Sequence, residues 1–210
     1  MIHREKDIIQ WAKDRGIIPG STPAAQYSKT LSEWSEWKRD HTADDIGDTA
    51  VTLIIGCYLA TEGALLLSDA VNNMPRVNIQ STNDAERLFE CALDDIREEF
   101  LPEDYARAYQ YLEGLAKLWG MSMTGCMETA WNDIKDRKGQ MIHGLFVKEA
   151  TLNHLCTMGV LPSSGRLESV CSTPEQRSRI AGAITSAGFN ANSKYDKESN
   201  IWLLFSTGAL

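Results

Sequence analysis

Two acidic pairs near the start of the chain constrain its fold more than any other feature. One pair is Glu33 and Glu36, and the other is Asp45 and Asp48. Each pair is spaced i, i+3, so on a helix each places its two carboxylates on one face. The residues between the pairs include HTADD, which is enough for a tight turn between two helices. The pattern therefore predicts a helical hairpin with one acidic pair on each arm.

Four carboxylates on facing helices repel one another unless a cation lies between them. Hard oxygen ligands favour magnesium, with manganese as the alternative. We therefore expect a divalent metal site suited to phosphate chemistry, with the ligands Glu33, Glu36, Asp45 and Asp48. Two other interpretations stay open. Glutamates at this spacing occur on many solvated helices, and the aspartates would also suit the dipole at a helix N-terminus.

Composition narrows the function classes. The 210 residues carry a net charge of −8, which argues against a protein that coats nucleic acid. The longest apolar stretch, residues 50–67, is interrupted by polar residues and glycines and is too short for a bilayer crossing. The first residues lack the continuous apolar region of a signal peptide. We expect a cytoplasmic protein with no nucleic-acid or membrane partner.

Hydrophobic periodicity predicts a mainly α fold with a small α+β extension at the C-terminus. The pattern favours a loop over 68–82 and helices over 3–15, about 23–39 with a cap at Ser21 or Thr22, 43–66, 85–100, 102–119, 124–137 and 149–158. After Pro162 we expect a strand over 165–172, a helix that begins after Thr173 and ends at Gly188, and a hairpin formed by FNANSKY and IWLLF. The predicted helical body thus ends near residue 150, and the extension covers 160–210.

A basic segment follows the helix predicted at 124–137. Asn132 and Lys135 share one face, and Arg137 and Lys138 come next. In an acidic protein such a cluster suits the oxygens of a triphosphate. Its other interpretation is favourable positive charge at a helix C-terminus.

Four segments together resemble a known family. WAKDRGI, the QxxKxxxExxE pattern from Gln26 to Glu36, DDIGDTAVTL, and AWNDIKDRKGQM followed by FVKE are similar to segments of the MazG-like nucleotide pyrophosphohydrolases. The resemblance is strongest to the versions carried by bacteriophages. It covers most of 5–149 except about 68–110, which looks like an insertion with its own helix.

The resemblance implies a MazG-like helical bundle over 1–150. It also implies hydrolysis of (d)NTPs to monophosphates and pyrophosphate, in a bacterium or a phage-infected host, by a dimer or tetramer. The implied magnesium ligands are Glu33, Glu36, Asp45 and Asp48, although the family has glutamate at the position of Asp45. The residues implied to contact phosphate are Lys29, Asn132, Lys135, Arg137 and Lys138.

The expected reaction is attack of a water molecule on the α-phosphorus, with Glu36 as the general base. For the nucleobase, Trp34 is a stacking candidate, whereas Trp131 is expected in the core. Some phage members of the family resemble this chain and favour guanine nucleotides, so dGTP is the first substrate to test. The competing hypothesis is a non-catalytic phage module that binds a nucleotide or a host protein. Under either hypothesis, two roles stay open for the hairpin of the extension: covering a face of the bundle, or forming part of a subunit contact.

Overall fold

The computed structural model describes residues 1–163, 166–197 and 199–209. Its elements in chain order are α1 (Glu5–Asp14), α2 (Ile17–Gly20), α3 (Pro23–Asp40), α4 (Ala43–Ala60), α5 (Leu67–Asn72), α6 (Thr82–Glu99), α7 (Pro102–Leu118), α8 (Met123–Ile134), β1 (Gly139–Ile142), β2 (Leu145–Lys148), α9 (Glu149–Thr157), β3 (Leu161–Ser163), β4 (Arg166–Cys171), α10 (Pro174–Ser186), β5 (Phe189–Asp196) and β6 (Ile201–Ala209). The protein is mainly helical with a small antiparallel sheet near the C-terminus, as predicted.

The chain forms two compact units. The helical unit comprises Met1–Asp14 and Ser21–Asp136, and the α+β unit comprises Arg15–Gly20 and Arg137–Leu210. The sequence led us to expect a boundary between 150 and 160. The division instead follows Asp136, because β1, β2 and α9 pack together.

Helix α4 forms the centre of the helical unit. Every residue from Thr49 to Cys57 is buried, and α4 packs against α1, α3, α7 and α8. This burial explains the nearly continuous apolar run, because a helix surrounded by other helices has no solvated face. The run therefore belongs to a core helix. None of the helices in the described part of the chain combines the length and apolarity that a bilayer crossing requires.

Helices α4 and α8 approach each other closely at Gly47. A Cβ atom on Gly47 would lie 2.2 Å from the carbonyl oxygen of Cys126 and 2.7 Å from the Cβ of Ala130. Only a glycine leaves room for the α8 backbone at this point. Because Gly47 lies between Asp45 and Asp48, the close approach fixes α8 beside the acidic end of α4.

The N-terminal residues are tied to α8 by charge. Arg4 donates from Nε and Nη2 to the two carboxylate oxygens of Glu128, at 2.9 and 3.1 Å. The His3 ring lies 2.7 Å from the same carboxylate. The hydrogen bond from Arg4, followed by that from His3, lowers the pKa of Glu128 to about 2.

The α+β unit is built on a sheet of order β3-β4-β6-β5, in which every neighbouring pair is antiparallel. Helix α10 packs against β4, β5 and β6. A separate hairpin of β1 and β2 is joined to β6, because the His143 ring lies 2.9 Å from the hydroxyl and the carbonyl oxygen of Ser206. The core of this unit includes Val160, Leu167, Ile184, Phe189 and Leu204.

The loop predicted over 68–82 was wrong in its first part, where α5 lies. No side chain adjacent in sequence caps this helix. Its cap is the buried carboxylate of Glu5, which accepts the backbone N–H of Ser68 at 3.0 Å. Because Glu5 precedes Ser68 by 63 residues, the local sequence carries no signal for this helix start.

Two further boundaries differ from the prediction. Helix α4 ends at Ala60 rather than near 66, because Gly63 adopts a positive φ of 81° and donates its N–H to the carbonyl of Tyr58. The β1–β2 hairpin was missed. Its turn residues, His143 and Gly144, both have positive φ, which is the conformation of a tight hairpin turn.

Most other predicted elements are confirmed within one to three residues at their ends, including α3 with its cap at Thr22 and α10 with its cap at Thr173. Strand β3 was not predicted. Gly165, the first residue of one predicted strand, and Glu198, in the predicted hairpin turn, lie outside the described residues.

Replacing Gly47 with alanine tests the close approach of α4 and α8. The added methyl group would overlap the α8 backbone, so we expect Gly47→Ala to lower the free energy of unfolding by about 1–3 kcal/mol. Urea denaturation followed by circular dichroism measures this change.

The control is Gly182→Ala in α10, where an added Cβ would meet no atom within 4 Å. There the same substitution should be neutral or raise stability by about 0.5–1 kcal/mol. Equal effects of the two substitutions would contradict the packing described at Gly47.

Candidate functional site

Helices α3 and α4 form a hairpin with a link of two residues. Helix α3 begins with Thr22 as cap and Pro23 in its first turn, and it ends at Asp40. His41 then adopts a left-handed conformation with φ of 55° and donates its N–H to the carbonyl of Trp37. Thr42 caps α4 immediately afterwards. The two acidic pairs therefore lie on two packed helices, one on either side of the turn, as the sequence predicted.

The glutamates of α3 differ in exposure. Glu33 is only 5% exposed and forms an ion pair with Lys29, one turn earlier on α3. Glu36 is half-buried. A buried carboxylate needs a compensating charge, and Lys29 provides it here. Lys29, which was expected to contact phosphate, therefore contacts a predicted metal ligand in the structure.

Asp45 has a structural role. Its Oδ2 accepts the backbone N–H of Thr42 at 3.0 Å and the hydroxyl of Thr42 at 2.7 Å. In return the Asp45 N–H donates to the Thr42 hydroxyl oxygen at 3.2 Å. This is a capping box, and it matches the alternative interpretation of the aspartate pair as a helix N-terminus.

Asp44, which the sequence analysis did not single out, is the remaining carboxylate of this first turn. Its Oδ1 is buried and has no hydrogen-bond partner among the described residues. Asp44 and Asp48 are spaced i, i+4 and so share a face of α4. The doublet Asp44–Asp45 was the available signal, but spacing alone does not tell which of the two bonds back to the cap residue Thr42. Asp48 itself is half-buried.

The pKa of Arg39 is affected by carboxylates on both arms of the hairpin. Its guanidinium donates to the carboxylate of Asp40, and this hydrogen bond is the main reason that its pKa is raised. The charges of Glu36 and Asp45 raise the pKa of Arg39 further. The Arg39 guanidinium therefore interacts electrostatically with Glu36 of α3 and with Asp45 of α4.

The carboxylate oxygens of the hairpin are the ligand type that a hard cation prefers, but the side chains do not converge on one point. Within residues 1–163, 166–197 and 199–209, no group of three or more His, Cys, Asp or Glu side chains is placed to hold a metal ion. Glu33 is neutralised by Lys29, and Asp45 is used in capping. In chemical terms Glu33, Glu36, Asp44 and Asp48 are the oxygen donors that a magnesium ion would draw together.

The predicted phosphate contacts fall in both units. Asn132 and Lys135 lie at the end of α8, where Lys135 Nζ donates to Asn132 Oδ1 at 2.6 Å. Arg137 and Lys138 belong to the α+β unit. There the Arg137 carbonyl accepts the Nε–H of Arg15, and the Lys138 carbonyl accepts the backbone N–H of Glu149.

Trp34 belongs to the core of the helical unit. It is 5% exposed, its ring centroid lies 4.4 Å from that of Phe89, and its indole N–H donates to Glu90 at 3.2 Å. A nucleobase therefore has no open ring face to stack on at this position. Trp131 is half-buried, with the Arg4 guanidinium 5.9 Å from its ring centroid.

An aromatic cluster at the hairpin turn was missed by the sequence analysis. The ring of His41 stacks on Trp119 with centroids 4.9 Å apart, and Trp37 meets Trp119 edge-on at 5.4 Å. Trp119 is 43% exposed. No local signal could have joined His41 to Trp119, because they lie at the ends of α3 and α7. The cluster offers an exposed aromatic surface beside the acidic hairpin.

Comparisons with known proteins give one partial match. The chain is 39% identical over 57 residues to an uncharacterized 18.2 kDa protein in the rep-hol intergenic region of Haemophilus phage HP1. The match covers 24% of this chain and 35% of the length of the phage protein. No family model matches the chain. No solved structure matches it either.

The capping box predicts a specific pattern of stabilities. Because Thr42 and Asp45 satisfy each other, Thr42→Ala and Asp45→Ala should each lower the free energy of unfolding by about 1 kcal/mol. The double variant should lose less unfolding free energy than the two single variants lose together, because either substitution alone already breaks the motif. Asp40→Ala, at an exposed position of the same turn, is the control and should change stability by less than about 0.5 kcal/mol. Full additivity would contradict the capping role.

Proposed function

We propose that this protein is a metal-dependent nucleoside triphosphate pyrophosphohydrolase of the MazG-like kind. It would convert (d)NTPs to (d)NMPs and pyrophosphate. One observation carries the proposal: the hairpin places acidic residues on both α3 and α4, next to a link of only two residues. The motif resemblance supports the same reaction, and the partial match to a phage protein fits a phage setting.

The residue roles follow from the environment of each carboxylate. Glu33 and Asp48 would hold the cation, magnesium or alternatively manganese, and Asp44 replaces Asp45 as the further donor. When bound, the cation supplies charge neutralisation for the triphosphate. Glu36 is half-buried and is our candidate for the general base that takes a proton from the attacking water. Cation binding would also release Lys29 from Glu33, leaving that ammonium group free for a phosphate oxygen.

The remaining substrate contacts are assigned by charge and exposure. Asn132 and Lys135 are exposed at the end of α8, the helix that Gly47 holds against α4. Arg137 and Lys138 stay candidates for the same role. For the nucleobase we propose the exposed ring of Trp119, supported by His41, in place of Trp34. We propose dGTP as the first substrate and a dimer or tetramer as the working assembly.

The alternative is a non-catalytic module that binds a nucleotide or a host protein. It is favoured by one observation, the lack of a converged group of three metal-ligating side chains in the part of the chain that the structure describes. A hairpin that only presented carboxylates to solvent would have no need for magnesium.

A pyrophosphate-release assay over the dNTPs, with and without magnesium, separates the two functions. We expect magnesium-dependent release from at least one nucleotide. Glu36→Gln and Asp48→Asn should each lower kcat by about 100-fold or more, because the first removes the general base and the second removes a ligand of the cation. Glu98→Gln, at an exposed position of α6, is the matched control and should leave kcat unchanged.

Circular dichroism must show that each variant is folded. A folded wild-type protein that releases pyrophosphate from none of the nucleotides would exclude the enzyme and favour the binding module. Full activity in either site variant would exclude the assigned residue.

A further inference from the structure

A second site candidate lies in the helical unit, in a cleft of about 500 Å³. The cleft is bounded by the chain at Arg76 and Val77, by the second half of α7 and by the start of α8. Its volume falls in the usual range for small-molecule sites. None of the acidic residues of the α3–α4 hairpin lines it.

Gln110 of α7 gives the cleft an unused donor. The side chain is 97% buried, since only 3% of the residue is exposed. Its Oε1 accepts the backbone N–H of Val77 at 3.2 Å, which fixes the orientation of the amide. Its Nε2 has no hydrogen-bond partner among the residues that the structure describes. A buried amide donor without an acceptor carries an uncompensated desolvation cost. A ligand in the cleft with an acceptor atom would remove that cost.

The start of α8 gives the cleft two further donors. Ser122 caps this helix of 12 residues by accepting the N–H of Gly125 at 3.1 Å. The backbone N–H groups of Met123 and Thr124 precede the first intrahelical bond, and both residues line the cleft. The free N–H groups and the dipole of a helix N-terminus favour an anion.

The charged side chains at the cleft favour an anion as well. Lys117 is exposed, and within the described residues it forms no ion pair. Arg76 is paired with Glu113 at 3.1 Å, and both line the cleft. Two cations and one carboxylate meet here, on a chain whose net charge is −8.

We propose that this cleft binds a small organic anion. Its carboxylate or phosphate group would lie at the N–H groups of Met123 and Thr124, within reach of Lys117. A second acceptor atom would take the Nε2–H of Gln110. The proposal does not depend on the pyrophosphohydrolase function, because the cleft and the acidic hairpin have no residue in common.

NMR titration of the 15N-labelled full chain tests the proposal. The probes are inorganic phosphate, acetate and deoxyguanosine monophosphate, each compared with sodium chloride at equal ionic strength. We expect saturable shifts of the Gln110 side-chain amide and of the Met123 and Thr124 backbone amides. Saturation by phosphate or the nucleotide assigns a phosphate ligand, and saturation by acetate alone assigns a carboxylate. No saturable shift with any probe, or equal shifts with sodium chloride, would overturn the proposal.

Three variants test the assigned contacts. Lys117→Gln should weaken binding of the best probe about tenfold, the loss of one charge-assisted contact. Glu113→Gln should tighten it, because the change removes the one carboxylate in the cleft and frees Arg76. Lys6→Gln, at an exposed position of α1, is the matched control and should bind as wild type does. Unchanged binding in Lys117→Gln, or equal weakening in Lys6→Gln, would overturn the assignment.

Discussion

The contact between α4 and α8 at Gly47 is the constraint on which the helical unit depends. The Cys126 carbonyl occupies the space that any larger side chain would need, so the two helices are held backbone to backbone. The middle of α4, from Thr49 to Cys57, is buried, and α1, α3 and α7 pack against the helix, whereas Ala43, Asp44 and Asp45 at its start are half-buried. The first turn carries Asp44 and Asp45, and Asp48 follows in the next turn. A rigid core helix thus presents carboxylates at its end, and a site mounted in this way is placed more precisely than one on a loop.

The charge pattern of the hairpin follows from this placement. Packing of α3 on α4 places acidic residues on both arms of the hairpin, and several of these residues have a partner close by in the sequence. Lys29 pairs with buried Glu33, Thr42 with Asp45, and Arg39 responds to charges on both arms. In our account a cation would replace Lys29 as the partner of Glu33. The capping box of Thr42 and Asp45 would stay intact with or without a bound cation, because it stabilises the start of α4.

Much of the fold could be predicted from the sequence because its determinants are local. Pro23 after Thr22 and Pro174 after Thr173 mark helix starts, and periodic apolar residues mark the inner faces of α6 and α8. One error has a long-range cause. Helix α5 is capped by Glu5 from another helix, whereas the β1–β2 hairpin and the end of α4 were missed although their turn residues are local. The Glu5 contact has no signal in the sequence next to α5.

The same distinction applies to the candidate site. Spacing placed the acidic pairs on facing helices, but it could not separate the capping role of Asp45 from the unpaired oxygen of Asp44. It could not tell that Trp34 is packed on Phe89, nor that Trp119 reaches His41. The two aromatic contacts join helices that are distant in the chain, whereas the capping box is local and depends on which of two adjacent aspartates turns back to Thr42.

Paramagnetic broadening by manganese tests the central claim, a cation site between α3 and α4, most directly. In spectra of the full chain, a low concentration of Mn²⁺ should first broaden the amide signals of residues 33–36 and 44–48. Excess Mg²⁺ should restore them, and the signals of Gln110 and Lys117 should stay sharp. Broadening spread evenly over the acidic surface, or confined to residues outside the hairpin, would contradict the account.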